Sequence, residues 1–374
     1  MSETGALAVI AAGGTGGHLF PAQALAEALI ARGWRIVLAT DQRTEAYSES
    51  FPAERRIAIA SATFRGGPAA RATQFVVLAR GARQARAALR GLKPAVVIGF
   101  GGYPSIPTLV AARSLRIKTV IHEANAVMGR ANRLLARGAT AVACAFPTLM
   151  KAGSAIRRRA VIVGNPVRPA IRALTGQGYA PPADDGPIHL FVTGGSQGAR
   201  VLSETVPAAI AALPSVLRSR IKVVQQTRFE VLEAAAAIYR DAGVEAELAP
   251  FFSDMPQRWT WAHLVISRAG ASTVGEIAVA GRPAILVPLG VALDDDQGQN
   301  ARLLSHAGGA LILRESELTA PALAEVLGEL LTDPGGLTRM ADAAAAAATP
   351  DAAERLADLV EQTVGIKPAS GVAS

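Results

Sequence analysis

Short, continuous apolar runs alternate with longer alanine-rich stretches along almost the whole chain. In the first half the runs are Leu7–Ala11, Arg35–Ala39, Arg56–Ala60, Ala95–Phe100, Lys118–His122, Ala139–Ala143 and Val161–Val163. In the second half they are Ile188–Thr193, Lys222–Gln226, Glu247–Phe251, Leu264–Ser267, Ala284–Val287 and Leu311–Leu313. Such runs, set between helical stretches, read as parallel strands covered on both faces. Two series in succession predict an α/β protein of two doubly wound, Rossmann-like domains. The boundary falls at Gly164–Pro169, where GNPVRP interrupts helix and strand alike. Residues 1–165 then form the first domain and 166–344 the second. Thr175–Gly186, rich in Gly, Pro and Asp, reads as an exposed loop, and Leu337–Val364 as helix.

Composition narrows the class. The 374 residues are 50% hydrophobic and 18% charged, which suits two cores and excludes disorder over most of the length. Cys144 is the single cysteine, so there is no internal disulfide and a reducing compartment fits. Within TAVACAF it reads as a packing thiol. The five histidines are scattered without ligand spacing, so no metal site is legible. The opening MSETGALAVIAAGG has no basic region followed by a long apolar stretch, and AVVIGF and AILVPL are far shorter than the roughly 20 residues that span a bilayer. A soluble or peripheral protein is expected. The net charge of +8 fits an anionic partner, nucleic acid or anionic lipid, without choosing between them.

Three glycine loops follow strands. GGTGGH (Gly13–His18) ends the first strand and opens an amphipathic helix. Such a turn brings backbone close to a ligand and aims free N–H groups at an anion. No Gly-Lys-Ser/Thr follows, so it is not a nucleotide-triphosphate loop. Leu19 occupies the third glycine position of the dinucleotide fingerprint, so Asp41, placed where a ribose ligand would stand, does not make an oxidoreductase. GFGGYPSIP (Gly99–Pro107) and TGGSQGAR (Thr193–Arg200) are the other two loops. Together they predict phosphate-sized sites in both halves, as an enzyme with two phosphorylated substrates needs.

GGTGGH, GGYPS, HEAN, GNPVR, GGSQGAR and SRAGASTVGEIAVAGRPAILVPL, in this order and spacing, resemble the MurG family, from about Ala6 to the C-terminal helix. These are N-acetylglucosaminyltransferases of peptidoglycan synthesis, with a GT-B fold whose two domains face a central cleft. The resemblance implies inverting transfer of GlcNAc from UDP-GlcNAc to the C4 hydroxyl of the muramyl sugar of lipid I, an undecaprenyl-diphosphate-linked muramyl peptide, giving lipid II. It implies no cofactor, no metal and no nucleic-acid partner. The first domain would face acceptor and membrane, with a C-terminal helix at about 345–366 packing back on it, and the second would bind UDP-GlcNAc. A UDP-GlcNAc 2-epimerase and a transferase with another lipid-linked acceptor are the rivals.

By the same resemblance, Ser196 starts the helix that takes the donor diphosphate, and Arg168 pairs with phosphate oxygens. Thr15, Gly16, Gly17 and Asn125 add donor contacts. Ala271, Ser272, Thr273, Val274, Gly275 and Glu276 open a helix whose glutamate takes the ribose diol. Phe252 holds the uracil position, and Gln297 reads the sugar hydroxyls. The aspartates of Asp294–Asn300 could alternatively form a metal-binding element; the third Asp and Gly298 depart from the family's pattern, as does Ala124, where glutamine is common. Gly14, His18, Gly101, Gly102, Tyr103 and Ser105 would serve the acceptor diphosphate. His18 is the candidate general base, with phosphate binding as its other role, and Glu123 is the rival base. Arg71–Arg90 mixes Phe75, Val76 and Leu78 with Arg71, Arg80 and Arg83, a basic amphipathic segment able to rest on an anionic bilayer surface. That places the protein on the cytoplasmic face of the inner membrane.

Overall fold

The structure, a computed structural model, describes residues 5–13, 16–41, 51–62, 67–195, 198–290 and 294–367. It divides into two compact units: one runs to Arg168 and takes in the chain from Asp351, and the other is Pro169–Pro350.

In the first unit the strands are β1 (Leu7–Ala11), β2 (Arg35–Thr40), β3 (Arg55–Ala58), β4 (Val96–Gly99), β5 (Lys118–Glu123), β6 (Ala141–Cys144) and β7 (Ala160–Ile162). They form one parallel sheet in the order β3-β2-β1-β4-β5-β6-β7. Ala8 stands beside Ile36 on one side and Val96 on the other, so β1 is central. Alternate residues of β1 serve opposite faces. Ala8 and Ile10 pack with Leu19, Leu25 and Leu29 of the Gly16–Ala31 helix. Leu7 and Val9 pack with Ala85 and Leu89 of the Pro68–Leu92 helix. Cys144 is buried in the second of these cores, with its thiol pushed up to about 11 by burial.

The second unit holds β8 (Ile188–Thr193), β9 (Ile221–Gln226), β10 (Glu245–Ala249), β11 (Leu264–Ser267), β12 (Ala284–Leu286) and β13 (Ala310–Ile312). All pair in parallel, in the order β10-β9-β8-β11-β12-β13. Ile188, Leu190 and Val192 anchor a core with Leu202, Val206 and Ile210 on one helix and Leu323 and Leu327 on another.

All thirteen apolar runs are strands, shifted at their ends by a residue or two. Burial on both faces fails at the margins. The outer strands β3, β7, β10 and β13 leave residues exposed, because an edge strand has a neighbour on one side only. The expected helix Leu337–Val364 is two helices, Pro334–Ala346 and Ala352–Val364. Pro350 between them lacks an N–H and disfavours helical backbone at the residue before it.

The last helix belongs to the first unit. Leu356, Ala357 and Val360 enter the core formed by Leu25, Leu29 and Ile98. Arg32 secures it, donating from Nη1 to Asp358 at 2.7 Å and to Glu361 at 2.8 Å, and from Nη2 to the Glu354 carbonyl at 3.1 Å. Trp34 Nε1–H donates to the other oxygen of Glu361 at 3.2 Å. Removing Glu361 leaves a shielded guanidinium and a buried indole N–H short of an acceptor. Glu361→Ala should therefore destabilise the first unit by about 3 kcal/mol, while Glu361→Gln keeps the indole bond and costs less. Chemical denaturation checks this; an unchanged midpoint for Glu361→Ala would remove the anchoring role.

Candidate active site

In each sheet the connections wind one way on one side of the central strand and the other way on the other. The reversal falls between β1 and β4 in the first unit and between β8 and β11 in the second. There the loops leaving the C-terminal strand ends part, which opens a crevice where α/β sheets bind ligands. Two glycine loops flank the first reversal. The third, together with the Arg268–Ala271 turn, flanks the second.

In the first unit, β4 runs into Phe100, Gly101 and Gly102, and both glycines have left-handed backbone, with φ of 87° and 72°. A β-carbon on Gly101 would lie 3.4 Å from the His18 ring and 3.4 Å from Asn132 Nδ2; one on Gly102 would lie 3.2 Å from the Gly13 carbonyl. The two loops therefore touch, with His18 between them. Ser105 Oγ–H donates to the Gly102 carbonyl at 2.8 Å and fixes the turn from inside. Tyr103 is partly buried beside it.

His18 hydrogen-bonds to the Phe100 backbone, while its Nδ1 is shielded and has no partner among the described residues. Burial holds its pKa below the usual histidine value, and the bond to Phe100 offsets this in part. The ring is thus neutral near pH 7, with one nitrogen lone pair unused. His122, fully buried, donates from Nε2 to the Gly164 carbonyl at 3.1 Å and packs on Phe100 with ring centroids 5.2 Å apart. Burial lowers its pKa to about 4, so it too is neutral.

Glu123 is 3% exposed. Its Oε1 accepts from the Asn125 backbone N–H at 3.0 Å and from Asn125 Nδ2 at 3.4 Å. Its Oε2 accepts from the Gly129 N–H and from Asn132 Nδ2, both at 2.9 Å. Burial pushes this carboxyl's pKa up, and the four donors pull against that. The carboxylate organises the loop that carries Asn125. Arg168, at the end of this unit, lays its guanidinium 4.4 Å from the Phe20 ring centroid, on the same helix as His18.

In the second unit, Gly195 and Gly198 carry φ of 76° and 68° in the loop after β8. Gln226, at the end of β9, braces that loop. Its Oε1 accepts from Thr193 Oγ1 and the Gly194 N–H, both at 3.0 Å, and its Nε2 donates to the Gly195 carbonyl at 3.0 Å. The Ala271–Ala280 helix starts after Gly270, whose carbonyl accepts from the Val274 N–H at 2.9 Å, so its N-terminus carries the positive end of the helix dipole. Ser272, Thr273 and Gly275 are partly exposed, whereas Ala271 and Val274 are buried and offer backbone only. Glu276 lies in the second turn, 6% exposed, with Oε2 accepting from Trp259 Nε1–H at 3.1 Å. Trp259 packs edge-on to Phe191, and so does Phe252, at 5.2 Å and 6.3 Å. The Phe252 ring is also covered by Arg258 at 4.7 Å and is 8% exposed, whereas its neighbour Phe251 is 59% exposed.

Gln297 accepts from the Leu289 N–H at 3.1 Å, which leaves its amide N–H groups for other work. Asp295 accepts from Gln299 Nε2 at 3.1 Å and folds over Gly298, where any β-carbon would strike its carboxylate. Of the two departures from the family pattern, Gly298 thus fits against Asp295, and the third aspartate, Asp296, opens the Asp296–Ala307 helix. Arg268 donates to the Val287 and Pro288 carbonyls at 3.2 Å and pairs with Glu315 at 2.5 Å; Glu315 also accepts from the Gly290 N–H at 3.1 Å. These bonds join the chain leaving β11, β12 and β13. Among the described residues, no group of three or more His, Cys, Asp or Glu is placed to hold a metal ion.

The structure thus gathers His18, Gly101, Gly102, Glu123 and Asn125 around one reversal. Glu276 and Phe252 meet through the aromatic cluster of the other unit. Gly14, Thr15 and Ser196 lie outside the described residues. The Pro68–Leu92 helix stands apart from these loops: Phe75 and Val76 are each 69% exposed, Arg71, Arg80 and Arg83 are exposed, and Leu78 is partly buried. Among the described residues no helix is long and apolar enough to cross a membrane. Asn132, Gln226, Trp259, Arg268 and Glu315 were not legible as site residues. Gln226 carried the one usable signal, a polar residue closing an apolar strand.

Residues 8–144 match the glycosyltransferase family 28 N-terminal domain, and residues 189–356 its C-terminal domain. The chain is 62% identical, over 95% of its length and 98% of the relative's, to the UDP-N-acetylglucosamine--N-acetylmuramyl-(pentapeptide) pyrophosphoryl-undecaprenol N-acetylglucosamine transferase of Phenylobacterium zucineum. It is 55% identical to the protein of that name from Caulobacter vibrioides, over 96% and 99% of the two lengths. The crystal structure of Acinetobacter baumannii MurG superposes with a TM-score of 0.77 at 31% identity, over 96% of this chain and 99% of that one. Two parallel sheets of matching order, glycine turns at both reversals and likeness over nearly the full length agree: the chain belongs to the MurG family of glycosyltransferases, with the GT-B fold.

Proposed function

We infer that this chain transfers GlcNAc from UDP-GlcNAc to the C4 hydroxyl of the muramyl sugar of lipid I, forming lipid II with inversion at the anomeric carbon. The observation that carries the reading is the 62% identity to an enzyme of that name, over 95% of the chain, with the glycine turns at both sheet reversals kept. The second unit takes the nucleotide. Glu276, oriented by Trp259, accepts from the ribose hydroxyls, and the N-terminus of the Ala271–Ala280 helix faces a diphosphate. Arg168, Asn125, Gly16 and Gly17 add donor contacts, and Gln297 offers its N–H groups to the sugar.

Inverting transfer needs a base for the acceptor hydroxyl and stabilisation of the departing diphosphate. His18 suits the first need: it is neutral near pH 7 and holds an unused lone pair at Nδ1. Glu123 does not, since both its oxygens are held by donors. The helix N-termini and Arg168 supply the second need without a metal. Phe75 and Val76, exposed among exposed arginines, support seating on an anionic bilayer surface where the lipid-linked acceptor resides.

Purified protein should convert lipid I and UDP-GlcNAc to lipid II with a chelator present. Formation of UDP-ManNAc from UDP-GlcNAc alone, without lipid II, would replace this reading with the epimerase. Because burial lowers the His18 pKa, the acid limb of kcat/KM should fall below pH 6.5, activity being lost as the ring protonates. His18→Ala should abolish that limb along with most turnover; an unshifted limb removes His18 as base. Glu123→Gln should act differently, lowering Tm by about 5 °C, because an amide turns N–H groups toward donors. Glu276→Gln keeps an oxygen for Trp259, and both it and Glu276→Ala should raise the UDP-GlcNAc KM, the alanine more than tenfold. Unchanged donor affinity in both variants would undo the ribose assignment.

A further inference from the structure

The segment Gly164–Arg168 is pinned at both ends to the His18 site. Its Gly164 carbonyl accepts from His122 Nε2 at 3.1 Å, and its Arg168 guanidinium lies 4.4 Å from the ring of Phe20, two residues beyond His18. Asn165 stands between these pins. It is 8% exposed, yet neither Oδ1 nor Nδ2 has a hydrogen-bond partner among the described residues. A buried carboxamide in that state opposes folding, and an apolar side chain of the same size would fit without the cost. Most buried polar groups in proteins are satisfied, so a fully orphaned amide needs a partner that arrives from outside the chain.

The same condition recurs nearby. His18 Nδ1, His122 Nδ1 and Asn132 Oδ1 are buried without partners among the described residues. Both histidine nitrogens are acceptors, because the opposite nitrogen of each ring donates to a carbonyl. Asn132 Nδ2 is already used on Glu123 and on the His122 carbonyl. These three atoms are therefore acceptors lacking donors. Asn165 differs from them: it offers N–H groups as well as an oxygen, and it is neutral.

We propose that Asn165 is a substrate-binding residue whose carboxamide recognises a neutral group that both donates and accepts, a hydroxyl or acetamido of a hexosamine. A neutral amide brings no charge to a phosphate and leaves its oxygen without a donor there, so that task suits the Arg168 guanidinium three residues on. A sugar hydroxyl, or an acetamido with its N–H and C=O, matches the amide's two functions. The proposal rests on the transferase reading, in which donor and acceptor sugars both carry such groups.

The test uses Asn165→Leu and Asn165→Ala in the full chain, following Tm, kcat, KM for UDP-GlcNAc and for lipid I, and Kd for UDP and UDP-GlcNAc by calorimetry. Since the amide has no partner to lose among the described residues, Tm should stay level or rise in the leucine variant. Turnover should move the other way, kcat/KM falling about five- to tenfold, as for loss of a neutral hydrogen bond. If the donor sugar is the ligand, affinity for UDP-GlcNAc falls while that for UDP holds. If the acceptor sugar is the ligand, only the lipid I KM rises. The proposal is overturned if both variants keep kcat and both KM values within twofold of the unaltered protein. A fall in Tm by more than about 5 °C in both variants, with activity lost only in step, also overturns it, because it would reveal an intramolecular partner. Should the unaltered protein make no lipid II, the transferase reading fails, and binding alone then decides Asn165: UDP-GlcNAc affinity lost with UDP affinity kept supports it, and both affinities unchanged overturn it.

Discussion

The reversal of strand order in each parallel sheet is the constraint from which the rest follows. A parallel sheet needs a crossover after every strand, and a change in the direction of winding parts the loops at the C-terminal strand ends. In the first unit that parting lies between β1 and β4, and in the second between β8 and β11. Glycine is placed where the backbone must turn with positive φ and approach a neighbour, as Gly101 and Gly102 do against His18 and Gly13. A β-carbon at Gly102 would press on the Gly13 carbonyl, and at both positions the positive φ would strain any other residue.

Buried polar side chains brace those loops. Glu123 gathers the backbone and side chains of the Asn125–Asn132 loop, Gln226 holds the loop after β8, Trp259 orients Glu276, and Arg268 with Glu315 ties two strand ends together. Each has its hydrogen bonds met inside its own unit, which is what makes a bracing group rigid. The groups assigned to chemistry show the opposite pattern. His18 Nδ1 and the Asn165 amide are buried and unmet among the described residues. A site prepared for a ligand holds polar atoms that its own chain leaves unsatisfied, at a cost to the stability of the fold.

Legibility followed the range of the interaction involved. Strand positions could be read because burial on both sheet faces demands a continuous apolar run, and all thirteen runs are strands. Their outermost members misled in one respect: Val161 and Ile162 are apolar yet 42% and 50% exposed, since an edge is a property of the sheet and not of the strand. The split of the final helix is signalled locally by Pro350, inside the Leu337–Val364 stretch expected as helix. Among site residues, His18 and Glu276 announced themselves by sitting in glycine-rich or helix-opening motifs. Asn132, Trp259 and Glu315 gave no such signal, because each acts on a residue distant in sequence.

The sequence by itself determined the two-sheet α/β architecture, the order of the glycine turns and the family, because these rest on local backbone chemistry and periodic burial. Tertiary structure alone decided which side chains are used up and which are left open. Glu123 and His18 look equally able to take a proton when read as letters. Folding surrounds the first with four donors and leaves the second a shielded lone pair. Hydrogen-bond satisfaction is a property of neighbours brought together from across the chain, and no run of residues states it in advance.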